Sequence, residues 1–244
     1  MGLIARVHNK LINMLNDEKR SSFYKKLIGN NDLVFDVGAN HGNRVGIFVK
    51  LGAKVVAVEP NPKLAKKLLK KYHSKINVVQ KAIGDKDGFV DLYINEADVL
   101  STTSEEFIKV AKETGRFGEL SNKFNQKVKV KMVLMQNLFD EYGYPKFIKI
   151  DTEGLEYKIL KTLQNSMVNG ISFEFAIPES RKDIILSIDH LNDIGYKSFN
   201  ISFAESMEMI SSSNMSAIEI KNLVNILPDM CWGDIYVFNK KEGK

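Results

Sequence analysis

The chain has 244 residues, 44% of them hydrophobic and 27% charged, a balance that suits a folded domain and excludes a long disordered chain. No run approaches the roughly 18 consecutive apolar residues of a membrane span, and a single cysteine, Cys231, excludes an internal disulfide and a cysteine-rich zinc site. The net charge of +5 comes largely from lysines at helix-face spacing, such as Lys66, Lys67, Lys70 and Lys71, without an arginine cluster; no nucleic-acid partner is expected from it.

The opening residues, MGLIARVHNKLINMLNDEKR, alternate polar with apolar side chains and hold no signal-peptide core. Arg6 stands where a myristoylation signal needs Ser or Thr, so a cytoplasmic location is expected. Residues 1–32 read as an N-terminal helical segment: Leu3, Val7, Leu11, Met14 and Leu15 are near helical spacing within 3–28. Residues 33–244 then read as a single α/β domain.

LVFDVGA (33–39) is a continuous apolar run of the kind buried on both faces in a parallel sheet. A helix over 43–51 points Val45, Phe48 and Val49 inward and stops at Gly52. KVVAVEP (54–60) is a second strand; Asn61 caps the next helix, with Pro62 at its first position and Leu64, Leu68, Leu69 and Tyr72 on one face. INVVQKAIG (76–84) reads as the third strand.

The rhythm breaks over about 85–145. FVDLYI (89–94) and KVKVKMVLM (127–135) alternate in period two, as antiparallel strands with one solvated face do. A Ser/Thr-rich and helical stretch, 101–126, lies between them. An insertion here, between strands three and four, is expected to act as a mobile lid over 95–126. The βα rhythm resumes with a strand at 146–151, a helix at 155–168 with Leu155, Ile159, Leu163 and Met167 inward, and a strand at 171–177. A helix at 181–194, a strand near 196–201, a helix near 215–226 and a last strand at 234–239 follow. Alternating βα units imply a mostly parallel sheet with helices on both faces, and ligands in such sheets bind at the carboxyl ends of the strands.

The end of the first strand, Asp36-Val37-Gly38-Ala39-Asn40-His41-Gly42, has glycines for a tight turn and close ligand approach. Glu59 ends the second strand, where a carboxylate accepts hydrogen bonds from both hydroxyls of a ribose. A dinucleotide site wants G-x-G-x-x-G for its pyrophosphate. Here Asn40 replaces the second glycine and Asp36 adds negative charge, which suits a ligand carrying adenosine, a sulfonium and an amino group and disfavours a nucleotide-dependent dehydrogenase.

DVGANHGNRVGIF, VVAVEPNP, KAIGDKDGFVDLY and above all FIKIDTEGLEYKIL resemble, in order, the motifs of FkbM-type methyltransferases, from about Leu33 to Asn239. The resemblance implies a class I, Rossmann-like methyltransferase fold with the last strand antiparallel. It implies S-adenosyl-L-methionine as cofactor and O-methyl transfer to a hydroxyl of a small molecule or glycan, often a sugar. It implies that Asp36, Gly38, Asn40 and Gly42, with Ala39 among them, hold the methionine half; that Glu59, followed by Pro60 and Asn61, holds the ribose; and that Ala82 and Ile83 flank the adenine. Ser101 and Thr102, in the run Ser101-Thr102-Thr103-Ser104, fall where the family has small hydroxyl residues that reach the cofactor; the same run can equally cap a helix. The chain departs from the family at Met135-Gln136-Asn137-Leu138, where a Leu-Asp pair is common.

Lys149 and Asp151 share one face of strand four by period two. A lysine in an apolar strand needs a partner, and Asp151 or Glu174 from the neighbouring strand is the natural one. Lys149, Asp151, Glu153 and Glu174 are therefore the candidates to orient and deprotonate the acceptor hydroxyl. His41 is a reserve base; His73 and His190 read as solvated helix residues. No histidine pair has ligand spacing, and Asp151 with Glu153 is a weak signal for magnesium, so no metal site is assigned. Trp232 reads either as a wall for a sugar or as packing. Two rivals keep the fold: a ribose 2′-O-methyltransferase acting on RNA, and a non-catalytic cofactor-binding protein.

Overall fold

The computed structural model describes residues 3–97 and 100–239, with side chains from residue 14 onward. The strands expected to be buried on both faces are so, because alternate residues feed two different cores. In β1 (Leu33–Val37), Val34 and Asp36 point to one side of the sheet while Phe35 and Val37 point to the other. The Val34 side is covered by α1 (Leu3–Tyr24), α2 (Asn43–Lys50) and α3 (Pro62–Tyr72), through Phe23, Tyr24, Val45, Phe48 and Leu68. The Phe35 side is covered by α5 (Met135–Tyr142), α6 (Glu156–Leu160), α7 (Arg181–Asp193) and α8 (Ala217–Ile226), through Leu138, Ile159, Ile188 and Val224.

The remaining strands are β2 (Lys54–Val58), β3 (Ile76–Val79), β4 (Ala82–Ile83), β5 (Gly88–Asn95), β6 (Phe124–Val133), β7 (Phe147–Ile150), β8 (Gly170–Ala176), β9 (Tyr196–Phe203) and β10 (Trp232–Asn239). The main sheet has the order β3-β2-β1-β7-β8-β10-β9, with β10 antiparallel to both neighbours. This is the Rossmann-like methyltransferase arrangement. The chain runs outward from β1 through β2 to β3, then returns to β1's other side with β7, so a crevice opens where the carboxyl ends of β1 and β7 diverge.

The structure departs from the sequence reading in particular places. The expected third strand divides: β3 pairs with β2, whereas β4 leaves to join β6 and β5 in a separate three-stranded sheet. The insertion carries α4 (Glu105–Thr114), capped by Ser104, whose hydroxyl accepts from the Phe107 N–H at 3.1 Å. Lys127, Lys129 and Lys131 lie on the solvated face of β6, as the alternation implied. The strand expected to reach 135 ends at Val133, and α5 begins, because the Asn137 side chain accepts from the Leu134 N–H at 3.0 Å. The helix expected over 155–168 stops at Leu160; Leu155, Ile159 and Leu163 are buried but Met167 is exposed. Leu69 on α3 is also exposed. In α1, Leu3, Val7 and Leu11 lie outside the described side chains, Met14 and Leu15 are exposed, and Phe23 and Tyr24 make the docking contact. No described helix is long and apolar enough to cross a membrane.

Candidate functional site

The turn after β1 is shaped by backbone that only particular residues tolerate. Gly38 has φ +86, and a Cβ there would sit 1.7 Å from the Asp151 carbonyl oxygen; glycine is what lets the ends of β1 and β7 close on each other. Asn40 follows in the left-handed region at φ 48. Gly42, at φ +76, packs under Leu68 and Tyr72, and the Tyr72 hydroxyl donates to its carbonyl at 2.8 Å. Glu59 reaches in from β2: Oε2 accepts from the Asn40 N–H at 2.7 Å and Oε1 from the Asn61 N–H at 2.8 Å. Asn61 in turn caps α3 by accepting from the Lys63 N–H at 3.0 Å.

This turn walls a cavity of about 230 Å3. Asp36, Gly38, Ala39, Asn40, Glu59 and Pro60 line it from the first two strands, Ala82 and Ile83 from β4, and Ser101 and Thr102 from the insertion. Gly42 and Asn61 stand behind the wall as turn and cap. His41 lines it as well, while His190 Nε2 lies 3.0 Å from the Leu163 carbonyl, away from the cavity. Gln136 and Asn137 are exposed and do not line this cavity, so the departure from the family pattern falls at a helix cap.

Lys149, Asp151, Glu153 and Glu174 all converge on the same cavity. Lys149 is 3% exposed on the Asp36 face of the sheet, directly beside Asp36 in register. Its Nζ lies 2.6 Å from Asp151 Oδ2 and 3.9 Å from Asp234 Oδ1. Burial alone would release its proton, but the charges of Asp151 and Asp234 outweigh that and hold the ammonium above its ordinary pKa. Burial works against Asp151's charge too, yet Lys149 keeps that carboxyl below its ordinary value. Glu153 and Glu174 are pushed well above theirs, by burial first and then by the charge of Asp151 beside them. Glu174 beside it helps keep the Asp151 carboxyl low, and one carboxylate oxygen from each of Asp151, Glu153 and Glu174 lies within 4.8 Å of the others. Glu153 also carries backbone strain, with φ 55. Its carbonyl accepts from the Thr102 hydroxyl at 2.6 Å, tying the insertion to the end of β7.

Asp36 is 2% exposed, and burial raises its carboxyl to about 6, against the pull of Lys149 and Arg44. One oxygen faces the Val45 N–H; Oδ2 is buried with no hydrogen-bond partner.

Sequence reasoning missed several members of this site. Arg44, on the first turn of α2, lines the cavity and pairs with Glu205 at 2.7 Å, and Arg20 of α1 joins the same carboxylate at 3.2 Å. Glu205 follows β9, whose carboxyl end lies on the same edge as β1 and β7; that placement was the available signal. A second cavity, of about 930 Å3, opens between α4 and the ends of β8 and α7, and shares Glu153, Glu174 and Glu205 with the first. Trp232 lines it and is 41% exposed, which removes the core-packing reading for that residue.

The family profile of the methyltransferase FkbM domain matches residues 36–198. No curated protein sequence matches. Among solved structures, the chain is similar to a precorrin-6y C5,15-methyltransferase from Geobacter metallireducens GS-15, with 12% identity, 91% of this chain and 89% of that chain covered, and a TM-score of 0.47. It is similar to magnesium protoporphyrin IX methyltransferase from Synechocystis PCC 6803 with bound S-adenosylmethionine, with 9% identity, coverage of 98% and 85%, and a TM-score of 0.48. It is similar to the 23S rRNA methyltransferase ErmE, with 12% identity, coverage of 92% and 68%, and a TM-score of 0.44.

Proposed function

The chain belongs to the FkbM methyltransferase family, and from that premise we propose that it transfers a methyl group from S-adenosylmethionine to a hydroxyl of a small molecule or glycan. The observation that carries this reading is the junction of the two cavities. The smaller has the glycine turn and Glu59, the larger has room for an acceptor, and they meet at Glu153 and Glu174.

The smaller cavity suits the cofactor. Asp36 Oδ2, buried without a partner, is an acceptor for the amino group of the methionine half, whose charge would also relieve the buried carboxylate. Glu59 lines the cavity where ribose hydroxyls need an acceptor, and Ala82 and Ile83 give an apolar wall for a base. The bound cofactor supplies an electrophilic methyl on a sulfonium. The protein's own task is to align the acceptor oxygen and take its proton. Lys149 holds Asp151 ionised, so Asp151 is an anchor for the hydroxyl and a weak base. Glu153, displaced upward and beside it, is the better proton acceptor, because a base with a raised pKa retains a proton that a free carboxylate would shed.

The test is a screen of hydroxylated sugars and small alcohols with radiolabelled cofactor. Label recovered as a base-stable methyl ether supports the reading. Label recovered only on nitrogen or on RNA, or no transfer by a chain that binds the cofactor, contradicts it.

A further inference from the structure

The second cavity is lined by both aromatic rings and carboxylates. Phe107 and Phe117 of the insertion, with ring centroids 5.9 Å apart, line it together with Tyr157 and Trp232. Glu153, Glu174 and Glu179 are among its carboxylates. The buried cation there is Arg116, whose side chain is 9% exposed and already ion-paired. Its Nε donates to Glu179 Oε1 at 2.8 Å and its Nη2 to the Ile177 carbonyl. Lys158 and Lys182 are exposed at the rim. Lys149, in the adjoining cavity, is bound to Asp151 and Asp234. Among the described residues no cation is paired with Glu153 or Glu174, and Glu179 Oε2 is buried with no hydrogen-bond partner.

A buried carboxylate without a donor is costly, and the cost falls when a ligand brings a donor with positive charge. Aromatic faces at the same opening accept a cation or the apolar face of a sugar ring. A phosphate in this cavity would meet carboxylates that include Glu153, Glu174 and Glu179, and the arginine that lines it, Arg116, is already ion-paired with Glu179. Resting on the methyl-transfer reading above, we propose that the acceptor is a hydroxylated ring carrying a protonated amine, as in an amino sugar, and that phosphorylated acceptors, nucleic acid included, are rejected. The amine is held at Glu174 and Glu179, leaving Glu153 to receive the hydroxyl proton.

The experiment is calorimetry on the full chain. The protein is first titrated with S-adenosylhomocysteine and, once saturated, with glucosamine, N-acetylglucosamine and glucose 6-phosphate in turn. One charge-assisted hydrogen bond corresponds to about tenfold or more in affinity, so glucosamine should bind at least that much tighter than N-acetylglucosamine. Glucose 6-phosphate should bind weakest. Glu179→Gln should bring the amine and the acetamide close to parity. The comparison among three ligands on the parent chain stands even if that variant fails to fold. Equal or tighter binding of the neutral or phosphorylated sugar, or no saturable binding of the amine, overturns the proposal. Failure of the first titration would instead remove the methyltransferase reading itself, so the two outcomes are separable.

Discussion

Glu59 accepts the Asn40 backbone N–H at 2.7 Å, from 19 residues away. The carboxylate proposed to meet a ribose therefore also holds the glycine turn in its left-handed shape. Removing it has two consequences. Glu59→Ala should weaken S-adenosylmethionine by about 2–3 kcal/mol, the scale of hydrogen bonds to a charged group, and should also lower the melting temperature of the ligand-free chain. Glu59→Gln keeps one acceptor oxygen and should fall between. Calorimetry and thermal unfolding measure the two effects separately; an unchanged melting temperature in Glu59→Ala would show that the tie to the turn contributes nothing.

Asp36 predicts the opposite pairing of stability and binding. Its carboxyl titrates at about 6 in the fold against 3.8 unfolded. A raised carboxylate pKa means that the folded state favours the proton. The stability cost is absent below about pH 4, grows between pH 4 and 6, and is fully present above. Asp36→Asn should therefore stabilise the ligand-free chain at pH 7 by up to about 3 kcal/mol, have little effect at pH 4, and weaken cofactor binding. Thermal unfolding at the two pH values checks this; equal effects at both would refute the linkage.

The Thr102 hydroxyl is the tether between the insertion and the end of β7. In the ligand-free chain, residues 105–122 should exchange their amide hydrogens faster than β1 or β7 and slow when ligand fills the cavities. Thr102→Val should quicken exchange there further and raise KM for the acceptor. Slow, ligand-independent exchange across the segment would contradict a closing role.

How much of this was legible depended on distance along the chain. The glycine turn after β1 could be read because a buried strand, two glycines and an acid at the next strand's end are local features, and β1 and β2 adjoin in sequence as well as in space. Lys149 and Asp151 were readable for the same reason: period two within one strand. Arg44 with Glu205 and Arg116 with Glu179 join segments 161 and 63 residues apart, and no periodicity within either segment announces such a pair. The division of the third strand was hidden because Ala82 and Ile83 are as apolar as Val78 and Val79; the change of sheet is set by pairing with Met132 and Val133. The start of α5 had a signal in Asn137, which was instead read as a missing carboxylate.

Glu153 governs the expected pH dependence. Its carboxyl is raised well above the ordinary 4.5, by burial and by Asp151, and it must lose its proton to act as a base. The rate kcat/KM should therefore climb as pH rises through a value well above 4.5 and then level. Glu153→Gln should remove that limb and lower turnover by about 10²–10⁴ while cofactor affinity stays close to that of the parent. Asp151→Asn should lower turnover too, with some loss of cofactor affinity, since Asp151 borders the Gly38 turn. A parental rate and profile in Glu153→Gln would make the cluster structural and direct attention to His41.

The most direct measurement is calorimetric titration of the full chain with S-adenosylmethionine. The account predicts saturable one-to-one binding, weakened by both Glu59→Ala and Asp36→Asn, and no comparable binding of NAD. Binding of NAD with no response to S-adenosylmethionine would contradict it.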